Sequence, residues 1–457
     1  MSKRLIPLFI TILLLLGFSL PTAVTSTVVP PSPTPALQTD TPAAGSSSSA
    51  VSAAPATDTP AAGASSSASS SASHSGSLSS GQPPVATAQP PSGAPIAHLP
   101  AGQDIKITFI KMLDAGNGWG IGGLNGNSDH VFRTADGGLT WKDLTPAEPT
   151  PANPQTPKKA IGFFMDAQKA WVAFYGSDTT PPSQDYVWYT TDGGATWNYS
   201  GLTEPALYSE SYVPTDLSFA DAQHGWMMAH VGAGMNHDYY ALLATTDGGA
   251  TWKTLISPQG DNSGTQGCYK SGLVFDSTQA GWMTVDCHGV VAIPYFFKTQ
   301  DGGAAWTSVN LPAPSSAPNM FNSNQSACDM TPATFLSATG VDLVLDCSDF
   351  TTNPSTKQSF LYETTDGGSS WNTYAYPGGP LQFIGTQTAF ALGHNIQRSA
   401  DGGHTWTAVK TVQWDGQFSF LDANTAWAVA TNSGQIALVK TTNGAVTWQE
   451  IKPKVGP

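Results

Sequence analysis

The stretch Thr134-Ala135-Asp136-Gly137-Gly138-Leu139-Thr140-Trp141 decides the fold, because variants of it occur seven times in the chain. Each copy has a Ser or Thr, an Asp or Asn two positions later, a glycine-containing turn and a final Trp. The paired acid or amide and Trp positions are Asp136 and Trp141, Asp192 and Trp197, Asp247 and Trp252, Asp301 and Trp306, Asp366 and Trp371, Asp401 and Trp406, and Asn443 and Trp448. Successive copies lie 35 to 65 residues apart, a spacing typical of one propeller blade with variable loops.

Each copy is predicted to form the turn of a β-hairpin. An Asp side chain accepts hydrogen bonds from amides of its own turn, and glycines supply the positive φ angles that a tight connection requires. An apolar strand, a short turn and a second apolar strand precede each copy, as in the segment from Leu217 to Gly232. Each unit therefore has four strands, and seven units predict an all-β, seven-bladed β-propeller of four-stranded antiparallel blades. The ring closes either by packing of the first blade on the last or by a strand from Ile96 to Leu99 in the final blade.

The chain divides into three parts by composition. Residues 1–26 have the layout of a secretory signal peptide, with Lys3 and Arg4 before an apolar run, although an uncleaved anchor stays open. Residues 27–100 are rich in Ser, Ala, Pro and Thr and are predicted to be a disordered linker, either an O-glycosylated spacer or an inert one. Residues 101–457 form the propeller. The protein is expected to be secreted or at the cell surface, with no membrane insertion beyond the signal segment.

Charge excludes one class of partner. The formal net charge is −14, and only 11% of the residues are charged. A nucleic-acid-binding surface needs a basic footprint, so no nucleic-acid partner is expected. No cofactor is predicted either: Gly118 to Gly123 fits the pattern G-x-G-x-x-G, but no helix follows it.

The recurring phrase from the Gly-Trp pair to TTDGGATW resembles the BNR or Asp-box propellers, and most of all the photosystem II assembly and stability factor family. The resemblance covers residues 101–457, and the eight-residue motif is called the Asp box below. It implies a non-catalytic assembly chaperone that contacts a membrane protein through an arginine-rich patch. This chain departs from that pattern, because Arg133 and Arg398 are its only arginines after the signal peptide.

Two enzyme groups also carry Asp boxes. Sialidases clamp the substrate carboxylate with three arginines, and two arginines cannot supply that clamp, so sialidase activity is disfavoured. Xyloglucan-cleaving propellers use two seven-bladed domains, whereas residues 101–457 provide one.

The four cysteines fall into two pairs of equal spacing in neighbouring units. Cys268 and Cys287 are 19 residues apart, as are Cys328 and Cys347, which predicts two disulfides within blades in an oxidising compartment. A zinc site is the alternative and does not fit this spacing. His230, His237 and Asp238 lie close together in the third unit, but their spacing favours ordinary loop polarity over a metal site.

Binding is expected on the face of the long loops, opposite the Asp boxes, because long loops on a rigid scaffold commonly bind ligands. The aromatic candidates on this face are Tyr175, Tyr186, Tyr208, Tyr212, Tyr239, Tyr240 and Phe321. Some of them are alternatively expected to pack the loops down.

Three functions are consistent with these patterns. The favoured one is a non-catalytic scaffold, expected to be a monomer, that binds an extracellular protein or a polysaccharide of the cell wall, with no catalytic or metal residue. The second is a polysaccharide-active enzyme, which requires two carboxylates near each other; the loop acids Asp178, Asp185, Glu204, Glu210 and Asp261 are available. The third is the membrane-protein assembly factor that the resemblance implies.

Overall fold

The computed structural model describes residues 97–146, 159–175, 186–201, 213–234, 237–258, 264–265, 267–287, 293–321, 326–351 and 354–457. These residues form an all-β, seven-bladed propeller of mostly four-stranded antiparallel blades, as predicted. The predicted signal peptide and nearly all of the predicted linker lie outside the described residues. No helix among the described residues is long and apolar enough to cross a membrane.

The first three blades each consist of four consecutive strands that run from the central channel outwards. In blade 1 they are β1 (Lys106–Met112), β2 (Gly118–Gly123), β3 (His130–Thr134) and β4 (Thr140–Asp143), with a short 3₁₀ turn at Leu124–Gly126. In blade 2 they are β5 (Lys159–Phe164), β6 (Ala170–Tyr175), β7 (Tyr186–Thr190) and β8 (Asn198–Gly201). In blade 3 they are β9 (Val213–Phe219), β10 (Gly225–Gly234), β11 (His237–Thr245) and β12 (Lys253–Ile256).

The remaining blades follow the same order, with an interrupted inner strand in blade 5. Blade 4 contains β13 (Tyr269–Phe275), β14 (Gly281–Asp286), β15 (Tyr295–Thr299) and β16 (Thr307–Asn310). Blade 5 contains β17 (Ser326–Met330), β18 (Thr334–Phe335), β19 (Val341–Asp349), β20 (Thr356–Thr364) and β21 (Asn372–Tyr376). Blade 6 contains β22 (Leu381–Ile384), β23 (Thr388–Leu392), β24 (Asn395–Ser399) and β25 (Thr407–Thr411). Blade 7 contains β26 (Asp415–Phe420), β27 (Ala426–Asn432), β28 (Gln435–Thr441) and β29 (Gln449–Ile451), and β30 (Lys454–Val455) follows it.

The Asp box is a self-contained hydrogen-bonded turn. In blade 2, Asp192 accepts hydrogen bonds from the amide of Thr196 at 2.9 Å, from its hydroxyl at 2.6 Å and from the hydroxyl of Thr190 at 2.8 Å. Gly193 and Gly194 both adopt positive φ angles, which an L side chain rarely takes. Because the Thr196 hydroxyl and amide bind the ionised carboxylate, they lower the pKa of Asp192 to about 2.

Indole rings join the blades where the second strand of each begins. Trp171 donates from Nε1 to the carbonyl of Gly248 in the next blade at 2.8 Å, and Trp226 donates to Gly302 at the same distance. Trp427 of blade 7 donates to Gly137 of blade 1, also at 2.8 Å. The same contact therefore recurs between neighbours and also closes the ring.

Ring closure combines direct packing of blade 7 on blade 1 with a strand added from the C-terminal side. The inner strands contact each other, since Gln417 accepts from the amide of Ile110 and Ser419 from the amide of Met112, both at 2.8 Å. Strand β30 then pairs in parallel with β4 and becomes the fifth, outermost strand of blade 1. Leu99 donates its amide to Asp143 of blade 1 at 2.9 Å, and residues 97–100 form no strand, so the described part of this segment adds no strand to the final blade.

Both predicted disulfides are confirmed. Cys268 bonds Cys287 in blade 4, and Cys328 bonds Cys347 in blade 5, where the two cysteines are directly opposite each other on β17 and β19. Two disulfides indicate an oxidising compartment outside the cytoplasm.

Candidate functional site

A group of ionisable side chains that interact with one another lies on the long-loop side, between blades 3 and 4. It combines Asp216 on β9, His230 on β10 and Asp238 on β11 with Tyr269 and Lys270 at the start of β13. Strand β13 begins at the end of the blade opposite its Asp box, because antiparallel strands place the box turn and the first-to-second-strand turn at the same end. The group therefore belongs to the face on which binding is predicted. It is called the acid–tyrosine cluster below.

A buried histidine–aspartate pair forms the back of the acid–tyrosine cluster. His230 Nδ1 is 2.7 Å from Asp238 Oδ1, and Asp238 Oδ2 accepts the amide of Lys270 at 3.0 Å. These bonds connect the carboxylate of blade 3 to the first residues of blade 4. Within the part of the chain that the structure describes, His230 Nε2 is buried and has no hydrogen-bond partner. A polar atom in that state is costly unless a further group binds it.

Tyr269 is the exposed aromatic residue of the cluster. Its ring stacks on His230 with centroids 4.4 Å apart, and 48% of its surface is exposed. Burial, together with Asp238, Asp216 and Asp286, raises the pKa of the Tyr269 hydroxyl. Asp286 is the residue directly opposite Tyr269 on β14. Three carboxyl groups therefore lie around one ring that remains accessible from outside.

Asp216 is the carboxylic acid of the cluster whose pKa is raised. Burial raises its pKa, although the Thr215 hydroxyl, the Leu273 amide and His230 act in the opposite direction. The equivalent position in blade 7 is Gln417, which accepts the amide of Ile110 from the neighbouring inner strand. A neutral amide is sufficient for that inter-blade bond. Asp216 therefore adds a titratable proton at a position where the fold requires only an acceptor.

Lys270 is held inside the seam and cannot reach an external ligand. Its side chain is fully buried, with Nζ 2.6 Å from the carbonyl of Cys268 and 4.7 Å from the ring centre of Tyr240. The disulfide of Cys268 fixes the start of β13 beside it. Lys270 therefore balances the buried carboxylates and leaves the outer side of the cluster acidic.

The predicted aromatic candidates are placed differently from one another. Tyr239 is 45% exposed, and Tyr175 is partly buried at the end of β6. Tyr240 is buried and bonds Thr265 at 2.5 Å, while Phe321 is buried in the core between blades 4 and 5. The side chain of Tyr186 lies outside the described residues, as do Tyr208, Tyr212 and the loop acids considered above. The binding role of these residues stays a prediction.

Phe321 also lines a groove of about 650 Å³ on the outer rim between blades 4 and 5. Its walls are mainly apolar, with Ile293, Val309, Pro312 and Trp371 among them, and none of its lining residues is acidic or basic. The groove can bury an apolar group but offers no acid or base.

Sequence reasoning missed Asp216, Tyr269 and Asp286. Asp216 was not identified because it lies inside a predicted inner strand, where a single acidic residue gives no signal of function. An alignment of blades 3 and 7 at their first turns contains the available signal, because it places Asp216 opposite Gln417. His230 and Asp238 were considered as metal ligands; they contact each other, and the described residues contain no group of three potential ligands able to hold a metal ion.

Comparisons with known proteins give only distant similarities and assign this chain to no family. No family model matches the chain. A xyloglucanase of a Paenibacillus species is 24% identical over 268 residues, which are 54% of this chain and 23% of the xyloglucanase. This chain's match thus spans about a quarter of the length of that relative.

Solved structures that align with this chain have low sequence identity to it. A GH74 enzyme from Niastella koreensis is 12% identical, with a TM-score of 0.30 over 77% of this chain and 62% of that one. The GH74 xyloglucanase from Xanthomonas campestris is 11% identical, with a TM-score of 0.26 over 78% and 80% of the two chains. An α-L-arabinanase from Penicillium chrysogenum is 11% identical, with a TM-score of 0.40 over 65% and 94%.

Proposed function

We propose that the propeller hydrolyses a neutral polysaccharide at the acid–tyrosine cluster, with Asp216 as the general acid. The observation that carries the proposal is the raised pKa of Asp216 in a cluster with the exposed ring of Tyr269. A general acid must hold its proton near the working pH, and a carboxyl whose pKa is raised by burial beside an accessible aromatic ring is consistent with that role. The sequence similarity to a xyloglucanase supports the same class of substrate.

The chemistry requires a proton donor and a second carboxylate. In the proposed reaction, Asp216 gives its proton to the oxygen of the glycosidic bond as the bond to the anomeric carbon breaks. A water molecule supplies the hydroxyl that replaces it, and the remaining proton of this water passes to the second carboxylate, which acts as the general base. Asp286 is the proposed second carboxylate, because it is opposite Tyr269 on the neighbouring strand and its charge acts on that ring. The sugar ring stacks on the face of Tyr269 that does not contact His230.

The buried pair behind the ring has a positioning role in this proposal. Asp238 binds His230 Nδ1, which orients the ring so that its second nitrogen is available on the other side. The electrostatic interaction with His230 favours the charged form of Asp216 and is one of the influences that lower the pKa of the acid. After proton transfer, His230 therefore stabilises the carboxylate that Asp216 becomes.

The charge of the cluster favours a neutral substrate over a uronic acid polymer or a sulfated one. Its outer side carries carboxyl groups, and Lys270 is buried. Arg133 is bound at the Asp-box side, with Nη1 3.4 Å from the carbonyl of Gly193. An anionic chain would therefore meet like charges at the cluster.

A non-catalytic polysaccharide-binding role is the second candidate. It rests on the two exposed rings of Tyr239 and Tyr269, because aromatic rings on a rigid surface stack on sugars without any acid chemistry. The membrane-protein assembly role stays a prediction of the family resemblance alone.

One experiment separates these candidates. The full chain is incubated with xyloglucan, arabinan and, as an anionic control, polygalacturonate, and both retention on the polymer and release of reducing sugar are measured. The proposal predicts release from a neutral polymer, a loss of release of at least about 100-fold in Asp216→Asn, and retained binding in that variant. Asp422→Asn, in a turn on the Asp-box side, is the matched control and is expected to behave as the wild type.

Retention without any release would favour the binding role, and Tyr269→Ala should then abolish it. Neither retention nor release on any neutral polymer would contradict both candidates.

A further inference from the structure

The seams between blades repeat one cross-strand pair on the Asp-box side of the propeller. The first member is an aromatic residue near the start of the second strand, and the second member lies opposite it on the third strand. In four blades the second member is a cation, in the pairs Trp119 and Arg133, Trp282 and Lys298, Phe390 and Arg398, and Trp427 and Lys440. The cationic groups lie 4.3 to 5.7 Å from the ring centres.

Two of these cations also donate a hydrogen bond to the Asp box of the next blade. Arg133 donates to the carbonyl of Gly193, and Lys298 donates to the carbonyl of Gly367. A position beside each of these boxes is therefore shaped to hold a guanidinium or an ammonium group. At these seams the group comes from the chain itself.

Blade 5 replaces both members of the pair with acids. Asp342 occupies the aromatic position on β19, and Glu363 lies directly opposite it on β20, where four other blades have Arg or Lys. Asp342 is only 2% exposed, and its Oδ1 has no hydrogen-bond partner among the described residues. Burial, and then the charge of Glu363, raise the pKa of Asp342 to about 7.

The neighbouring blade has also changed at this seam. His404 occupies the variable position of the sixth Asp box, where the other boxes have Leu139, Ala195, Ala250, Ala304, Ser369 and Val446. Its Nε2 is 3.3 Å from Glu363 Oε2, and its ring stacks on Tyr374 at 4.0 Å. Tyr374 donates its hydroxyl to the same carboxylate oxygen at 3.2 Å. Glu363 is thus oriented by two groups, while the buried carboxyl behind it is not.

We propose that the seam between blades 5 and 6 binds an external organic cation, a guanidinium or primary ammonium group, in the place that Arg or Lys of the chain occupies at four other seams. Asp342 and Glu363 supply the negative charge, and the stacked pair of Tyr374 and His404 forms the outer wall. A guanidinium group suits this site, because its planar donors pair with carboxylates and stack on aromatic rings. The ligand class therefore includes arginine or lysine side chains of a peptide.

Binding at this site depends on pH with a definite sign. The cation pairs with ionised Asp342, so binding releases the proton that the carboxyl holds at lower pH. The groups facing Asp342 are Glu363 from β20, Tyr374 from β21 and His404 from the blade 6 hairpin. Affinity must therefore rise as the pH increases through about 7.

The test is calorimetric titration of the full chain with N-acetyl-arginine amide and N-acetyl-lysine amide at pH 6 and pH 8. The neutral N-acetyl-citrulline amide, which has nearly the shape of the arginine probe, is the ligand control. We expect one saturable site for a cationic probe, with an affinity about tenfold higher at pH 8, since a carboxyl of pKa about 7 changes from roughly one-tenth to nine-tenths ionised.

Two variants locate the site. Asp342→Asn keeps the size of the protonated side chain and is expected to lose at least about tenfold in affinity together with the pH dependence. Glu363→Gln, at a partly exposed position, tests the same site if the first variant does not fold. Glu450→Gln on the exposed outer strand of blade 7 makes the same charge change and is expected to leave binding unaltered.

Three results would each overturn the proposal. The citrulline probe binds as tightly as the arginine probe, or both acid variants keep the wild-type affinity. In the third, Ca²⁺ or Zn²⁺ binds saturably while neither cationic probe binds.

Discussion

Strand β30 is predicted to hold the ring closed, and Val455→Ala measures its contribution. Val455 is only 4% exposed and packs in the cluster that contains Ile105, Ile107 and Trp141. Its amide donates to Gln103 at 2.8 Å, and its carbonyl accepts from Gly102 at 2.8 Å. The substitution leaves these backbone bonds in place and removes only side-chain atoms.

The expected cost follows from the buried atoms. Val455→Ala removes two methyl groups from the core, at about 0.8 kcal/mol each for the lost transfer free energy, and the space they leave adds a further penalty. The free energy of unfolding should therefore fall by about 2 kcal/mol.

Equilibrium unfolding in urea, followed by the fluorescence of the core tryptophans, measures this difference. Val446→Ala is the matched control, because it makes the same chemical change in blade 7 at a side chain that is 50% exposed, and it should cost less than about 0.5 kcal/mol. If the two variants lose the same free energy, or if Val455→Ala loses none, β30 does not hold blade 1 as described.

Two further predictions concern stability. Replacing Cys328 and Cys347 together with serine should lower the free energy of unfolding by roughly 3 kcal/mol, because the disulfide restricts a loop of about 20 residues in the unfolded chain. If the wild type has the same free energy of unfolding with and without reductant, this stabilisation by the disulfide is contradicted. Asp342 has a folded-state pKa of about 7 against an ordinary value of 3.8, so the stability it contributes is present below pH 4 and is lost as the pH rises through 7. Unfolding measured from pH 4 to pH 8 should show the wild type losing about 4 kcal/mol relative to Asp342→Asn, and parallel pH profiles for the two proteins would refute the raised pKa.

The architecture was predictable because it is encoded in short segments. The Asp at each box and the glycines after it form a turn from bonds within eight residues, as in Asp192 and Thr196, so the pattern in the sequence and the structure of the turn coincide. The disulfides were predictable for a related reason, since Cys268 and Cys328 fall at equivalent places in two repeats. Repetition supplies the comparison that a single segment lacks.

The mode of ring closure was not predictable, because it depends on contacts between residues more than 300 positions apart. Gln417 bonds Ile110, and Lys454 pairs with Thr140. Nothing in the two residues Lys454 and Val455 marks a strand, since their partners lie on β4 and in residues 102–105, more than 300 positions away in the sequence. A strand of two residues is too short to be recognised from hydrophobic periodicity.

The candidate sites were only partly predictable, for a reason specific to propellers. The sequence predicts binding on the long-loop side, where Tyr239 and the acid–tyrosine cluster lie, and that binding role stays a prediction. Residues that meet across a seam come from different blades, as Asp216 and Tyr269 do. Their approach depends on the angle and register of neighbouring blades, which the sequence pattern of one blade does not contain. Asp342 shows the complementary case: its departure from the aromatic pattern is visible in the sequence, but its burial without a partner is not.

The proposed proton transfer from Asp216 to a neutral polysaccharide is tested most directly by the pH profile of reducing-sugar release by the wild type and Asp216→Asn. Release by the wild type should decline on the alkaline side as Asp216 ionises, and the variant should have rates at least about 100-fold lower without that decline. A variant that releases sugar at the wild-type rate with an unchanged pH profile would contradict the assignment of Asp216 and, with it, the proposed catalytic role of the cluster.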